Sequence, residues 1–180
     1  FFINEYERID YDKYEGATVL VPRPGYYTDP VACLDFASLS PSIIQEMNIC
    51  YSTLCLEDTK DTNPVNVEVE TIESGIGKHE FVQNFIGILP KLEGELLYER
   101  RKTKKAMKQA TGLKRSILDK RQLSLKVLCN SVYGFTGVRS GILPRRELAA
   151  AITSRGRRLI EMTKEECEQL GYEVVYGTLL

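Results

Sequence analysis

The chain has no tryptophan, a single histidine (His79) and no Cys-x-x-Cys pair among its five cysteines. Each shortage removes a class of function. One histidine cannot build a His-rich metal site, and His79, alone in a turn-rich stretch, is expected to be a solvated loop residue. Cys33, Cys50, Cys55, Cys129 and Cys167 are odd in number and scattered. They argue for a reduced intracellular protein and against a structural zinc. No apolar run reaches the length of a membrane span. No basic segment followed by an apolar one opens the chain, so no signal peptide is expected. No G-x-x-x-x-G-K-[ST] loop occurs, which disfavours a P-loop NTPase. The chain opens on Phe1 rather than Met and closes just after the apolar Val174-Val175-Tyr176, so both ends read as cuts through a longer protein.

What is present is charge, unevenly placed. The whole chain of 180 residues has a formal net charge of -1. From Glu57 to Glu80 seven acids face two lysines, a net of -5; from Lys91 to Lys126 twelve Lys/Arg face four acids, a net of +8. A concentrated basic third in a near-neutral chain suggests a local polyanion site. A solvated helix face would look the same by charge alone.

Turn and periodicity signals give an α+β reading. Residues 1–30 alternate aromatics with Gly and Pro, as short strands and turns do. Val31-Ala32-Cys33-Leu34 suits a buried strand with Asp35 at its end. Ser40-Pro41 then predicts a helix to about Cys50, with Ser40 as N-cap and Pro41 at the first helical position. Residues 57–80 read as a loop with a possible hairpin strand around Val65–Glu70. Helices are expected over Leu92–Gln109 and Ser116–Val132, interrupted at Gly112 and ended by Gly134, as an antiparallel pair. A further helix is expected over Arg145–Leu170, closed by Gly171, and then a strand over Tyr172–Tyr176.

Two constellations bear chemistry. In the first, Asp35 leads through a tight turn into a helix start. This groups a carboxylate, free backbone N–H groups and a positive helix end, which suit a metal ion and phosphates. An Asp merely beside a turn is the commoner outcome of such spacing. In the second, Arg101 and Lys105 share a face of one helix, and Lys126, Asn130 and Tyr133 share a face of the next. Packed antiparallel, the two faces could converge on one polyanion, an incoming triphosphate better than a smooth duplex; a solvated face with Tyr133 as ordinary core is the alternative that spacing leaves open. Lysines of the run from Arg100 to Lys108 would add phosphate binding without sequence reading.

In order along the chain, these residues resemble the motifs of B-family DNA polymerases. Asp35-Phe36-Ala37-Ser38-Leu39-Ser40-Pro41-Ser42 is similar to D-x-x-S-L-Y-P-S. Lys126-Val127-Leu128-Cys129-Asn130-Ser131-Val132-Tyr133-Gly134 is similar to K-x-x-x-N-S-x-Y-G. Val175-Tyr176-Gly177 looks like the opening of Y-G-D-T-D-S. Gly87-Ile88-Leu89-Pro90 and Thr153–Arg157 also fit. The wording at Tyr14–Leu20 and Ser42–Tyr51 looks most like the polymerases of large DNA viruses of algae. A reverse transcriptase is argued against by the Lys126–Gly134 motif.

The resemblance implies a polymerase palm, an antiparallel sheet with helices, plus a helical-hairpin fingers domain. It divides the chain into 1–56 (palm, first part), 57–90 (connecting loop and hairpin), 91–136 (fingers) and 137–180 (palm, second part, incomplete). It implies template-directed transfer of a deoxynucleoside monophosphate from a dNTP to a primer 3′-hydroxyl, with Mg²⁺ at a two-metal site. Asp35, with the Phe36 carbonyl, would hold metal. The N–H groups of Ser38 and Leu39 would hold the triphosphate beside Ser40. Arg101, Lys105 and Lys126 would meet its phosphates, Asn130 would position the nucleotide, and Tyr133 would line the base-pair pocket. Partners would be primer–template DNA and dNTPs, with no membrane. The place of action would be intracellular: the host nucleus or a cytoplasmic viral replication site. Two positions depart from the pattern. Ser40 stands where the family has a sugar-gating tyrosine, and Thr178 stands where its second metal-binding carboxylate belongs. The chain alone is therefore expected not to polymerise, either as part of a longer active enzyme or as a nucleic-acid-binding remnant.

Overall fold

The alternation of Val69–Val82 builds the only regular sheet among the described residues of the computed structural model, which are residue 16 and residues 18–56, 67–138 and 144–178. Strands β1 (Val69–Ser74) and β2 (Gly77–Val82) form an antiparallel hairpin that pairs Ile72 with His79 and Glu70 with Phe81. With a side-chain period of two, Ile72, His79 and Phe81 share one face. All three are buried. The opposite face carries the exposed Lys78–Glu73 ion pair at 2.6 Å. Residues 53–55 run beside β2: Val82 donates to the Thr53 carbonyl and Cys55 donates to the Glu80 carbonyl.

The described residues also form four helices, α1 (Leu39–Glu46), α2 (Ile88–Lys108), α3 (Gly112–Thr136) and α4 (Arg146–Gln169), of which α4 packs on β1. The architecture is α+β, as the sequence implied. The core gathers Ile43, Ile44 and Met47 of α1, the adjacent Ile49, Ile72 and Phe81 of the hairpin, and Leu148, Ala151 and Ile152 of α4. α4 is buried all round from Leu148 to Thr153, and its three consecutive alanines let neighbouring elements approach closely. α4 ends at Gly171, whose φ of 86° needs no Cβ penalty. There the Tyr172 N–H reaches back to the Cys167 carbonyl and the Gly171 N–H to that of Glu168, which satisfies carbonyls the helix leaves open.

Asn48 joins three elements. It sits past the end of α1 in the left-handed region, at φ 51°. Its amide nitrogen donates to the carbonyls of Val82 (2.6 Å) and Phe85 (2.7 Å), and its oxygen accepts from the Gly87 N–H (2.8 Å). Gly87 caps α2. The end of α1, the end of β2 and the start of α2 are therefore fixed to one side chain. Gly87 is required here, because a Cβ would stand 2.6 Å from that of Cys50.

Several expectations shift. α1 begins at Leu39 rather than Pro41, because the Ser42 N–H already bonds the Ser38 carbonyl. Ser38, at φ 58°, is the cap in place of Ser40, and Pro41 still falls in the first turn, where its missing N–H loses nothing. Val31–Leu34 is not a buried strand: no partner strand pairs with it among the described residues, and Val31 and Leu34 are 64% and 72% exposed. Tyr172–Tyr176 forms no ladder of its own. The segment instead meets residues 19–23 through Leu20 N–H to Gly177 O and Arg23 N–H to Val175 O. α3 starts at Gly112 and runs through Gly134 to Thr136. His79 lies buried on β2, hydrogen-bonded to Ser74 Oγ at 2.7 Å, and burial holds its pKa below the ordinary value. Residues 1–15 and Val65-Asn66 lie outside the described residues.

Candidate nucleotide and metal site

The turn after Asp35 is built by the chain's reversal at Ser38. A left-handed residue at the cap lets an extended segment enter α1 abruptly. The amides of Leu39 and Ser40 then lack intrahelical partners, as the first N–H groups of any helix do, and the helix dipole adds partial positive charge there. Ser42 Oγ donates to the Ala37 carbonyl, closing the turn from the other side. Asp35 and Phe36 are exposed ahead of this turn, while Ser38, Leu39 and Ser40 are half-buried.

α1 packs against the first half of α2, and the two run antiparallel. Asn48 meets Gly87, Gln45 approaches Gly94, and Ser38 meets Arg100, whose Nη1 donates to Ser38 Oγ at 3.2 Å. The sequence reading placed Arg100 in the basic run and singled out its neighbour Arg101 for the phosphates. Arg101 is exposed and its Nε bonds the Leu97 carbonyl of its own helix. Residues 93, 97 and 100 form one stripe of α2 at helical spacing. Since Glu93 and Leu97 are buried, Arg100 is the cation carried inward. Its Nε is buried without a hydrogen-bond partner.

α2 and α3 form the expected antiparallel hairpin. Glu99 of α2 pairs with Arg121 of α3 at 3.6 Å and with Lys102 at 3.4 Å. Nearer the root, Glu93 contacts Cys129. Both pairs put Lys126 level with about residue 95 of α2. At 1.5 Å per residue, Arg101 stands about 9 Å and Lys105 about 15 Å farther toward the tip. Arg101, Lys105 and Lys126 therefore do not stand at one level of the hairpin. Lys126 and Asn130 are exposed along the flank of the buried α3 stripe, and Tyr133 is half-buried against the core.

The donor set bears on metal. Asp35 and the Phe36 carbonyl are hard oxygen ligands of the kind Mg²⁺ takes. Among the described residues no group of three His, Cys, Asp or Glu could hold a metal ion. One carboxylate fits part of a two-metal site and not the whole. A groove of about 400 Å³ lies elsewhere, lined by Gln45, Asn48, Gln83, Phe85 and Lys91 among others, with no acid in its wall.

A carboxylate before a helix start, free amides at that start and a basic two-helix arm tied to it through Arg100 are components of a phosphoryl-transfer site. Residues 2–177 match the model of DNA polymerase family B, and the chain belongs to that family. It is 43% identical over 180 residues to the DNA polymerase delta catalytic subunit of Drosophila melanogaster, covering 92% of this chain and 16% of that protein. It is 43% identical over 171 residues to the DNA polymerase catalytic subunit of human herpesvirus 8, covering 92% and 17%. The structure of the family B DNA polymerase from the archaeon Pyrobaculum calidifontis superposes with a TM-score of 0.71 at 30% identity, over 96% of this chain and 22% of that one. The chain thus spans about one sixth of the length of these curated relatives.

Proposed function

We propose that these residues are the nucleotide-binding portion of a DNA-directed DNA polymerase, acting on primer–template DNA and dNTPs. The observation that carries the reading is the Arg100–Ser38 contact. It ties the basic arm to the turn that offers the Leu39 and Ser40 amides and sets the Arg100 guanidinium beside that turn. A triphosphate suits that pairing: amides grip oxygens by direction, and arginine grips them in a planar fork. Lys126 and Asn130 extend the same side along α3. Tyr133, at the end of their line, suits the wall of a base-pair pocket. Asp35 and Phe36 O would hold Mg²⁺, which supplies charge neutralisation at the transferred phosphate, and a second carboxylate from outside the described residues would complete the set. Arg101 and Lys105, farther toward the tip, suit a later contact as the arm closes. The division into palm (1–56 and 137–180), connecting hairpin (57–90) and fingers (91–136) follows from this reading. The wording of Ser42–Tyr51 supports a polymerase of a large DNA virus, working in the host nucleus or a cytoplasmic replication site.

Binding of Mg²⁺-dATP to the full chain tests this. Arg100→Ala and Lys126→Ala should each weaken it about tenfold, the loss of roughly one charge-assisted contact, while Lys78→Ala on the hairpin should not. Equal affinity in all four proteins overturns the reading.

A further inference from the structure

At the root of the α2–α3 arm a carboxyl is shut in alone. Glu93 is 0% exposed, and among the described residues its oxygens have no well-formed hydrogen bond, only the looser approach of the Cys129 thiol. Its polar neighbour is the Cys129 thiol of α3, itself 1% exposed. Few other groups face it. α3 brings Cys129. α2 brings Arg100, whose guanidinium acts on Cys129 and is held at Ser38. α1 turns Gln45 toward Gly94 and buries Pro41, and neither titrates. Among the described residues no cation is paired with the carboxyl. A buried carboxylate without a partner is strongly disfavoured, so such a group stays neutral instead. Burial accordingly pushes the Glu93 pKa up to about 7, and burial together with Glu93 pushes the Cys129 thiol up to about 11.

Cys129 is placed to transmit what happens at Glu93. It follows Lys126 by three residues, precedes Asn130 by one and Tyr133 by four. On a rigid helix these move together.

We propose that Glu93 is a positioning residue: as a neutral acid packed on Cys129, it sets where the Lys126–Asn130–Tyr133 face stands against α2 and the Ser38 turn. When the acid ionises, its charge meets no cation. The root of α2 and α3 parts enough to admit water, and the face moves with Cys129. The packing claim stands on Glu93 and Cys129 alone; its consequence for nucleotide rests on the function proposed above.

Amide hydrogen exchange of the full chain tests the packing claim without any nucleotide. Wild type and Glu93→Gln are compared at the same pH, which cancels intrinsic exchange rates. At about pH 6 residues 126–133 should exchange alike in both. At about pH 8.5 they should exchange at least roughly fivefold faster in wild type, as expected for an acid titrating near 7. Equal rates at both pH values overturn the proposal. If Glu93→Gln does not fold, Glu93→Leu makes the same comparison, since it also removes the charge. Affinity for Mg²⁺-dATP over the same range separates the two claims. Wild-type affinity should fall severalfold toward high pH while that of Glu93→Gln stays level. A Glu93→Gln profile that tracks wild type overturns the coupling. Unchanged affinity in Lys126→Ala sinks the nucleotide reading of the face and leaves the exchange result to judge Glu93.

Discussion

Replacing Asn48 by alanine should loosen the junction of α1, β2 and α2 that this side chain holds. The side chain makes three hydrogen bonds at 2.6, 2.7 and 2.8 Å, to Val82 O, Phe85 O and Gly87 N. A net loss of about 1 kcal/mol each gives about 3 kcal/mol. Alanine must also hold a φ of 51°, which asparagine tolerates, at a further cost of about 1 kcal/mol. The total is about 4 kcal/mol, a large part of a small domain's stability. Glycine at position 48 loses the bonds and keeps the backbone at ease, so it should lose about 3 kcal/mol. Aspartate keeps the acceptor for Gly87 and sets a carboxylate against two carbonyl oxygens, so it should rescue nothing. Urea titration reads these losses as shifts of the midpoint at constant slope. An alanine variant within about 1 kcal/mol of wild type, or one no less stable than the glycine variant, would refute the reasoning. The site would feel the loss too, because Asn48 fixes the register that brings Arg100 to Ser38.

Glu93 also predicts a pH dependence of stability. Below its ordinary pKa of 4.5 both folded and unfolded chains hold the proton; between 4.5 and about 7 only the folded chain does. Stability from this group therefore falls as pH rises through that window, by about 3 kcal/mol in all, and is level above it. Glu93→Gln should remove that slope in urea titrations from about pH 4.5 to about pH 8; a variant that keeps the wild-type slope contradicts the assignment. At Ser40, a serine has no ring to exclude a 2′-hydroxyl. In a polypeptide competent for primer extension, Ser40→Tyr should raise the preference for deoxyribonucleotides at least about tenfold, and equal ribonucleotide use by the two proteins sinks the idea.

The local parts of the candidate site were the legible ones. Asp35 with the turn after it, Lys126 with Asn130 and Tyr133, and the two-helix arm can each be read from spacing within one segment. What failed depended on which face another element covers. Arg100 and Arg101 are adjacent cations 100° apart on a helix, and only the packing of α1 decides which turns inward. The stripe of Glu93, Leu97 and Arg100 mixes an acid, an apolar residue and a cation, so spacing alone does not mark it as the buried side. His79 looked like a loop residue because Gly75 and Gly77 flank it on one side, yet hairpin alternation carries it inward with Ile72 and Phe81. The Ser40-Pro41 signal is a sound helix start displaced by half a turn, since the Ser38 carbonyl takes the first helical bond. Val31–Leu34 is apolar enough for a strand, but a strand is made by its partner.

The central claim is that Asp35 serves nucleotidyl transfer. It is tested most directly by Mg²⁺-dependent incorporation of one dNTP opposite a template base. The polypeptide used would continue these residues past Gly177 through an Asp-bearing segment and the rest of a polymerase. Incorporation that Asp35→Asn abolishes is the expected result. Incorporation that survives Asp35→Asn, or none from the protein that keeps Asp35, would contradict it.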